Sequence, residues 1–196
     1  LILRVGVNKP IKIYVTVDVE GEWSVFPNEQ KYFDVNVIIK NLEILDSLIS
    51  EAKRINSINL PITWFIRCDA SVQKNLGSYE GLLRRLDKFI DTKLAIGDVF
   101  GVHPHLYSMN QKNLQNNISH SEIEDQLSKA FFSWESFFGS KPAFSRIGEA
   151  RMDNFIASIL DVNDIKIDSS ALPGRVRSDN GFNFNWSRTS NKSYKP

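Results

Sequence analysis

The sequence predicts an α/β fold with parallel strands, and three observations carry that expectation. Short β-branched or aromatic runs alternate with segments of helical apolar spacing, successive runs are separated by enough residues for a helical crossover, and two runs finish in paired polar side chains. A chain of 196 residues also falls in the single-domain range and is long enough to bury a substantial core, so residues 1–196 are read as one domain.

After Pro10, residues 11–17 (IKIYVTV) are β-branched and aromatic-rich and predict a first strand, which Asp18 and Glu20 close and Gly21 lets turn sharply. From Val35 to Ile55, apolar residues recur at three- and four-residue steps through Ile38, Leu42, Leu45, Ile49 and Ala52, the spacing of an amphipathic helix. Pro61 opens a second strand, ITWFI. GLLRRLDKFI at 81–90 repeats the helical spacing, and a third strand runs from about Val99 to His103, bracketed by Gly97 and Gly101.

Ser121 with Glu124 resembles a capping box, and the helix after it buries Ile123, Leu127, Ala130, Phe131, Trp134 and Phe137 until Gly139 stops it. Pro142 precedes a fourth strand, AFSRI. Met152 to Leu160 predicts a short helix and IKIDSS at 165–170 a fifth strand, while 178–196, rich in Asn, Ser, Arg and aromatics without periodicity, reads as a loop or extended segment. Five such units do not make a closed eight-stranded barrel, so an incomplete or distorted barrel and an open sheet both stand. Either architecture puts a ligand site at the C-terminal strand ends, where Asp18, Glu20, His103, His105 and Arg146 fall.

Composition narrows the partners. With 24 basic and 23 acidic residues, the formal charge of +1 gives no global field for nucleic acid. Cys68 is the only cysteine, which rules out an intrachain disulfide and an all-thiolate zinc site. No window approaches the roughly 20 apolar residues of a membrane span. The N-terminal LILRVGVNKP has neither an initiating Met nor the build of a secretion signal. It suggests a fragment or mature form, with the cytoplasm slightly favoured and an extracytoplasmic location open. The oligomeric state is left open.

Side chains at i and i+2 of a strand project to the same side. Asp18 with Glu20, and His103 with His105, can therefore converge if their strand ends are neighbours. A carboxylate with two imidazoles makes a divalent-metal site for which zinc is the usual occupant.

In order along the chain, TVDVEG (16–21), GDVFGVHPHLYS (97–108), FSRIGEARMDN (144–154) and IKIDSSALPG (165–174) resemble the motifs of the polysaccharide deacetylases, the NodB-homology carbohydrate esterases, particularly the subgroup whose first motif reads DVE. The resemblance implies a distorted, incomplete (β/α) barrel and metal-dependent removal of an N- or O-linked acetyl group from a sugar or polysaccharide. It further implies that Asp18 is the general base, that Glu20 binds the metal with the histidines, that Arg146 orients the base, and that Asp168 lies in a further site motif. A general-acid His is expected beyond Pro196. Two departures stand out: relatives carry His at the position of Asp98, and a second metal His where this chain has Tyr107, so His105, with Tyr107 as the alternative, is expected to complete the ligand set.

Taken singly, a strand ending in Asp and Glu is commonest at a solvent surface, Arg146 is readily a salt-bridge partner, and Asp168 before two serines suits a turn cap. His120 is expected to be solvent-exposed. Trp23, Phe26, Tyr32, Phe33 and Trp186 are equally suited to stacking on sugar rings and to anchoring loops. Two competing functions arise from the departures: metal-independent hydrolysis of a cyclic amide or other non-peptide C–N bond, and a degenerate carbohydrate-binding domain.

Overall fold

The computed structural model describes residues 2–3, 11–12, 14–21, 34–57, 60–106, 118–179 and 182–189. Its centre is a five-stranded, wholly parallel sheet of β3 (Val15–Val19), β4 (Ile62–Arg67), β5 (Val99–His103), β6 (Phe144–Ser145) and β7 (Ile167–Asp168), ordered as they occur in the chain. The α/β class is therefore as the sequence predicts. Among the described residues β3 and β7 are not paired, so the sheet is open.

Strands added in sequence order on one side put each crossover on the same face when all are right-handed. The crossovers are α1 (Val35–Asn56) between β3 and β4, then α2 (Ala70–Leu76), α3 (Gly81–Arg85) and α4 (Asp87–Ala95) between β4 and β5, α5 (His120–Phe138) before β6, and α6 (Asn154–Val162) before β7. The core lies between these helices and the sheet. Trp64 and Ile66 of β4 are fully buried, with Leu82, Leu83, Ile90, Leu127 and Ile156 packed into the same cluster.

Several boundaries depart from expectation for identifiable reasons. The run 11–17 is not one strand: β2 (Ile11–Lys12) pairs antiparallel with β1 (Ile2–Leu3), and the sheet strand is β3. Helix α5 is capped by Ser119 with Glu122 rather than by Ser121 with Glu124. That register places apolar Ile118 before the cap and Ile123 at the fourth helical position, both buried, as a hydrophobic staple requires; a cap at Ser121 would put His120 and Asp125 there. The helix expected at 81–90 is broken at Leu86 into α3 and α4, and α2, too short to show a period, was not expected. Within the stretch read as a loop or extended segment, β9 (Phe182–Asn185) pairs antiparallel with β8 (Val176–Asp179).

Candidate metal and acid–base site

β3, β5 and β6 end at one edge, and residues at or just past their ends meet around a cavity of about 520 Å³. That size is within the range of small-ligand sites. Glu20, His103 and His105 converge there. Glu20 Oε2 lies 3.2 Å from His105 Nε2 and 3.8 Å from His103 Nε2, and the two Nε2 atoms are 3.2 Å apart. Zinc ligands at about 2.0–2.1 Å in a tetrahedron stand about 3.3 Å from each other, so these three atoms are spaced to hold a metal ion.

The donor chemistry agrees. His103 Nδ1 is 2.6 Å from the carbonyl oxygen of Arg146, which can only accept, so Nδ1 carries the proton and the neutral ring turns a bare Nε2 toward the cluster. Burial, followed by the nearby His105, lowers the His103 pKa and favours that neutral form, although the charges of Asp18 and Glu20 oppose it. Burial raises the Glu20 pKa, but the hydrogen bond from His105 and the electrostatic interactions with His105, His103 and Arg67 outweigh it and bring it down to about 2. Glu20 is thus an anion at neutral pH.

Beside this cluster, Arg146 Nη1 donates to Asp18 Oδ1 at 2.6 Å, its Nη2 donates to Thr16 Oγ1 at 2.9 Å and Ser169 Oγ at 2.8 Å, and its Nε donates to the Ser169 carbonyl at 3.3 Å. The guanidinium also sits 4.3 Å over the Phe65 ring. With its donors so distributed, Arg146 has little freedom, and it holds the Asp18 carboxylate at the cavity wall.

Asp168 does not line the cavity. Its Oδ2 accepts from Ser145 Oγ at 2.6 Å and Ser170 Oγ at 2.9 Å, and Ser170 Oγ accepts from the Ile147 N–H at 2.7 Å. The residue is exposed as a whole, but crowding around the carboxylate strips water from it and raises its pKa against those hydrogen bonds. Asp98 lies at the start of β5, about 16 Å of strand from His103 at ordinary rise. There it accepts from the Ile62 N–H at 2.9 Å and the Trp64 Nε1–H at 2.8 Å, tying β4 to β5. The departure at Asp98 therefore does not touch the cluster. Tyr107 lies outside the described residues, as do Trp23, Phe26, Tyr32 and Phe33. His120, in the first turn of α5, is exposed and stacks on Phe155 with centroids 4.0 Å apart.

Three further residues support the site, and two of them, Arg67 and Asp69, escaped the sequence reading. Arg67, 1% exposed, donates from Nη1 to Glu20 at 3.4 Å and from Nε to Asp69 at 2.6 Å. Asp69, equally buried, accepts from the His105 N–H at 3.1 Å through the same oxygen and caps α2 through the other. The signal was an Arg ending a mostly apolar strand with an Asp two residues on. Gly148 is the third: a Cβ there would fall 2.2 Å from His105 Cδ2. Glu149 and Ala150, the next two residues in the cavity wall, both adopt left-handed backbone angles (φ 59° and 55°), a conformation non-glycine residues enter at a cost.

No protein-family model matches the chain, and no curated protein matches it. A crystal structure of a BA3943 mutant, described as a CE4 family pseudoenzyme with restored enzymatic activity, is similar at 15% identity with a TM-score of 0.44, over 80% of this chain and 43% of that one. The chain thus spans less than half of that protein's length. So distant a likeness says nothing about what this chain does.

Proposed function

We propose that the chain is the metal-binding, acid–base part of a carbohydrate deacetylase of the polysaccharide-deacetylase type, acting on an acetylated sugar or polysaccharide. The single observation behind this reading is the convergence of Glu20, His103 and His105 in one cavity with an arginine-held Asp18. In this reading the five strands are an arc of a distorted (β/α) barrel within one domain. Glu20, His103 and His105 hold the ion, with zinc the best match to one carboxylate and two imidazoles. When bound, such an ion supplies a Lewis acid for the acyl oxygen and brings the pKa of water to about 7.

The protein's own contribution is positional. Asp18 takes the proton of the attacking water, and Arg146 keeps its carboxylate in the one orientation from which it can do so. Glu20, two residues on, is engaged by two imidazoles and Arg67 and cannot share that task. Asp168 acts from behind, fixing Ser170 and through it the backbone of Ile147 beside Arg146.

The test measures metal content and acetate release together. The expected result is one divalent ion per chain, lost in Glu20→Gln, and acetate release from acetylated amino sugars that chelator abolishes. A protein that binds neither zinc, nickel nor cobalt refutes the reading, and full activity in chelator on a cyclic amide selects the metal-independent alternative. Sugar binding without hydrolysis, unaffected by Asp18→Asn, selects the degenerate binding domain.

A further inference from the structure

Residues 169–172 and Arg175 form another part of the cavity wall, and Arg175 is delivered to it by a built turn. In Leu172–Pro173–Gly174–Arg175 the Arg175 N–H donates to the Leu172 carbonyl at 3.0 Å and Gly174 has φ +83°. Pro at the second position and Gly with positive φ at the third are the requirements of a type II turn. The turn is stapled to the residue after β9: Gly174 N–H donates to the Trp186 carbonyl at 2.8 Å, and Trp186 N–H donates to the Arg175 carbonyl at 2.7 Å. Both backbone polar groups of Arg175 are therefore fixed.

The two carboxylates at the end of β3 are both matched. Asp18 is paired with Arg146, and Glu20 with Arg67, His103 and His105. Arg175 has no carboxylate within 4.0 Å among the described residues, and it is an exposed residue of the cavity wall. A planar cation on a fixed backbone, without a counter-ion among the described residues, suits a carboxylate or phosphate of a ligand, each of which accepts two parallel N–H bonds from it.

We propose that Arg175 is a specificity-determining residue that selects substrates bearing an anionic group, a carboxylate or a phosphate, close to the acetylated sugar. The acetyl group enters this inference only through the deacetylase reading, on which it rests; recognition of the anion has a separate readout. The test is equilibrium binding by titration calorimetry of three matched acetylated oligosaccharides, one neutral, one carrying a uronic acid and one a phosphate, to the wild-type chain, Arg175→Gln and Arg175→Lys.

The wild type is expected to bind an acidic oligosaccharide about tenfold tighter than the neutral one, the low end for charge-assisted hydrogen bonds because the site is open to water. Arg175→Gln abolishes the preference, Arg175→Lys keeps part of it, and about 1 M salt, with a screening length of about 3 Å, weakens it. The better of the two acidic ligands identifies the anion. Equal binding of all three, no binding of any, or a preference that survives Arg175→Gln overturns the proposal. Acetate release measured on the same ligands separates the two readings: preference without release leaves Arg175 standing and sinks the deacetylase, while release without preference does the reverse.

Discussion

Replacing Gly148 by Ala puts a methyl group where the imidazole of His105 already sits. The added Cβ would stand 2.2, 2.4 and 2.5 Å from Cδ2, Cγ and Nε2 of that ring, whereas non-bonded carbon atoms keep about 3.5–4.0 Å apart. The backbone cannot simply retreat, because Gly148 N–H is bonded at 2.9 Å to the carbonyl of Pro104, the residue before His105. Relief therefore needs a displacement of roughly 1 Å in the ring or the loop, and overpacking of this kind costs about 1–3 kcal/mol. The cluster tolerates far less, since metal–ligand distances hold to about 0.2 Å. Metal affinity is expected to fall at least as far as when an outer support is lost, about 10–100-fold. Competition against a calibrated chelator measures the affinity, and urea unfolding of the metal-free protein measures the stability. Gly139→Ala is the control: φ is +71° there with no atom within 4 Å, so it strains the backbone and lowers stability without approaching the site. A Gly148→Ala protein that binds metal as the wild type does would show that His105 is not held where the geometry puts it.

Asp18→Asn should leave metal content intact while lowering acetate release about 10²–10⁴-fold, the usual contribution of a general base; parallel loss of metal would mean that Asp18 is a ligand instead. Glu20 has a folded pKa of about 2 against an ordinary 4.5, so its stabilising contribution is complete above pH 4.5 and disappears as the pH falls toward 2. In chelator-treated protein, urea midpoints across that window should slope less in Glu20→Gln than in wild type, and identical slopes would contradict the assignment. Asp98→Ala strands two buried donors, Ile62 N–H and Trp64 Nε1–H, and should cost about 2–5 kcal/mol in urea unfolding. Its metal affinity in the folded protein should stay at the wild-type value.

What the sequence makes legible depends on the length of each signal. Helix α1 matches its expected span to within a residue at the C-terminal end because its long run of periodic burial leaves no other register. β6 and β7 keep only two paired residues each, where five- and six-residue runs were expected, since pairing depends on a neighbouring strand that local composition does not describe. At the site, i and i+2 spacing and motif order were enough to single out Glu20, His103, His105, Asp18 and Arg146, all of which line one cavity. Arg67 and Asp69 were missed because the contacts that tie them to the site are long-range: Arg67 is 47 positions from Glu20, and Asp69 is 36 from His105. Asn-Gly at 180–181 is a sequence pattern common in hairpins, a usable signal that the polar composition of 178–196 obscured.

The two halves of the site are registered against each other by one stretch of backbone. Arg146 N–H donates to the Val102 carbonyl at 3.0 Å, the Arg146 carbonyl takes His103 Nδ1, and Gly148 N–H donates to the Pro104 carbonyl, so residues 146–148 are laced to 102–104. The guanidinium of the same Arg146 holds Asp18, on β3, two strands away from β5. Asp18 and the Glu20–His103–His105 cluster are therefore positioned by a common set of hydrogen bonds rather than by separate loops. A substitution shifting residues 146–148 should accordingly reduce metal affinity and turnover together, while one confined to the Asp18 carboxylate should reduce turnover alone. Gly148→Ala and Asp18→Asn are those two cases. If both lost only turnover, the lacing would have no functional consequence, and the two halves would have to be regarded as independent.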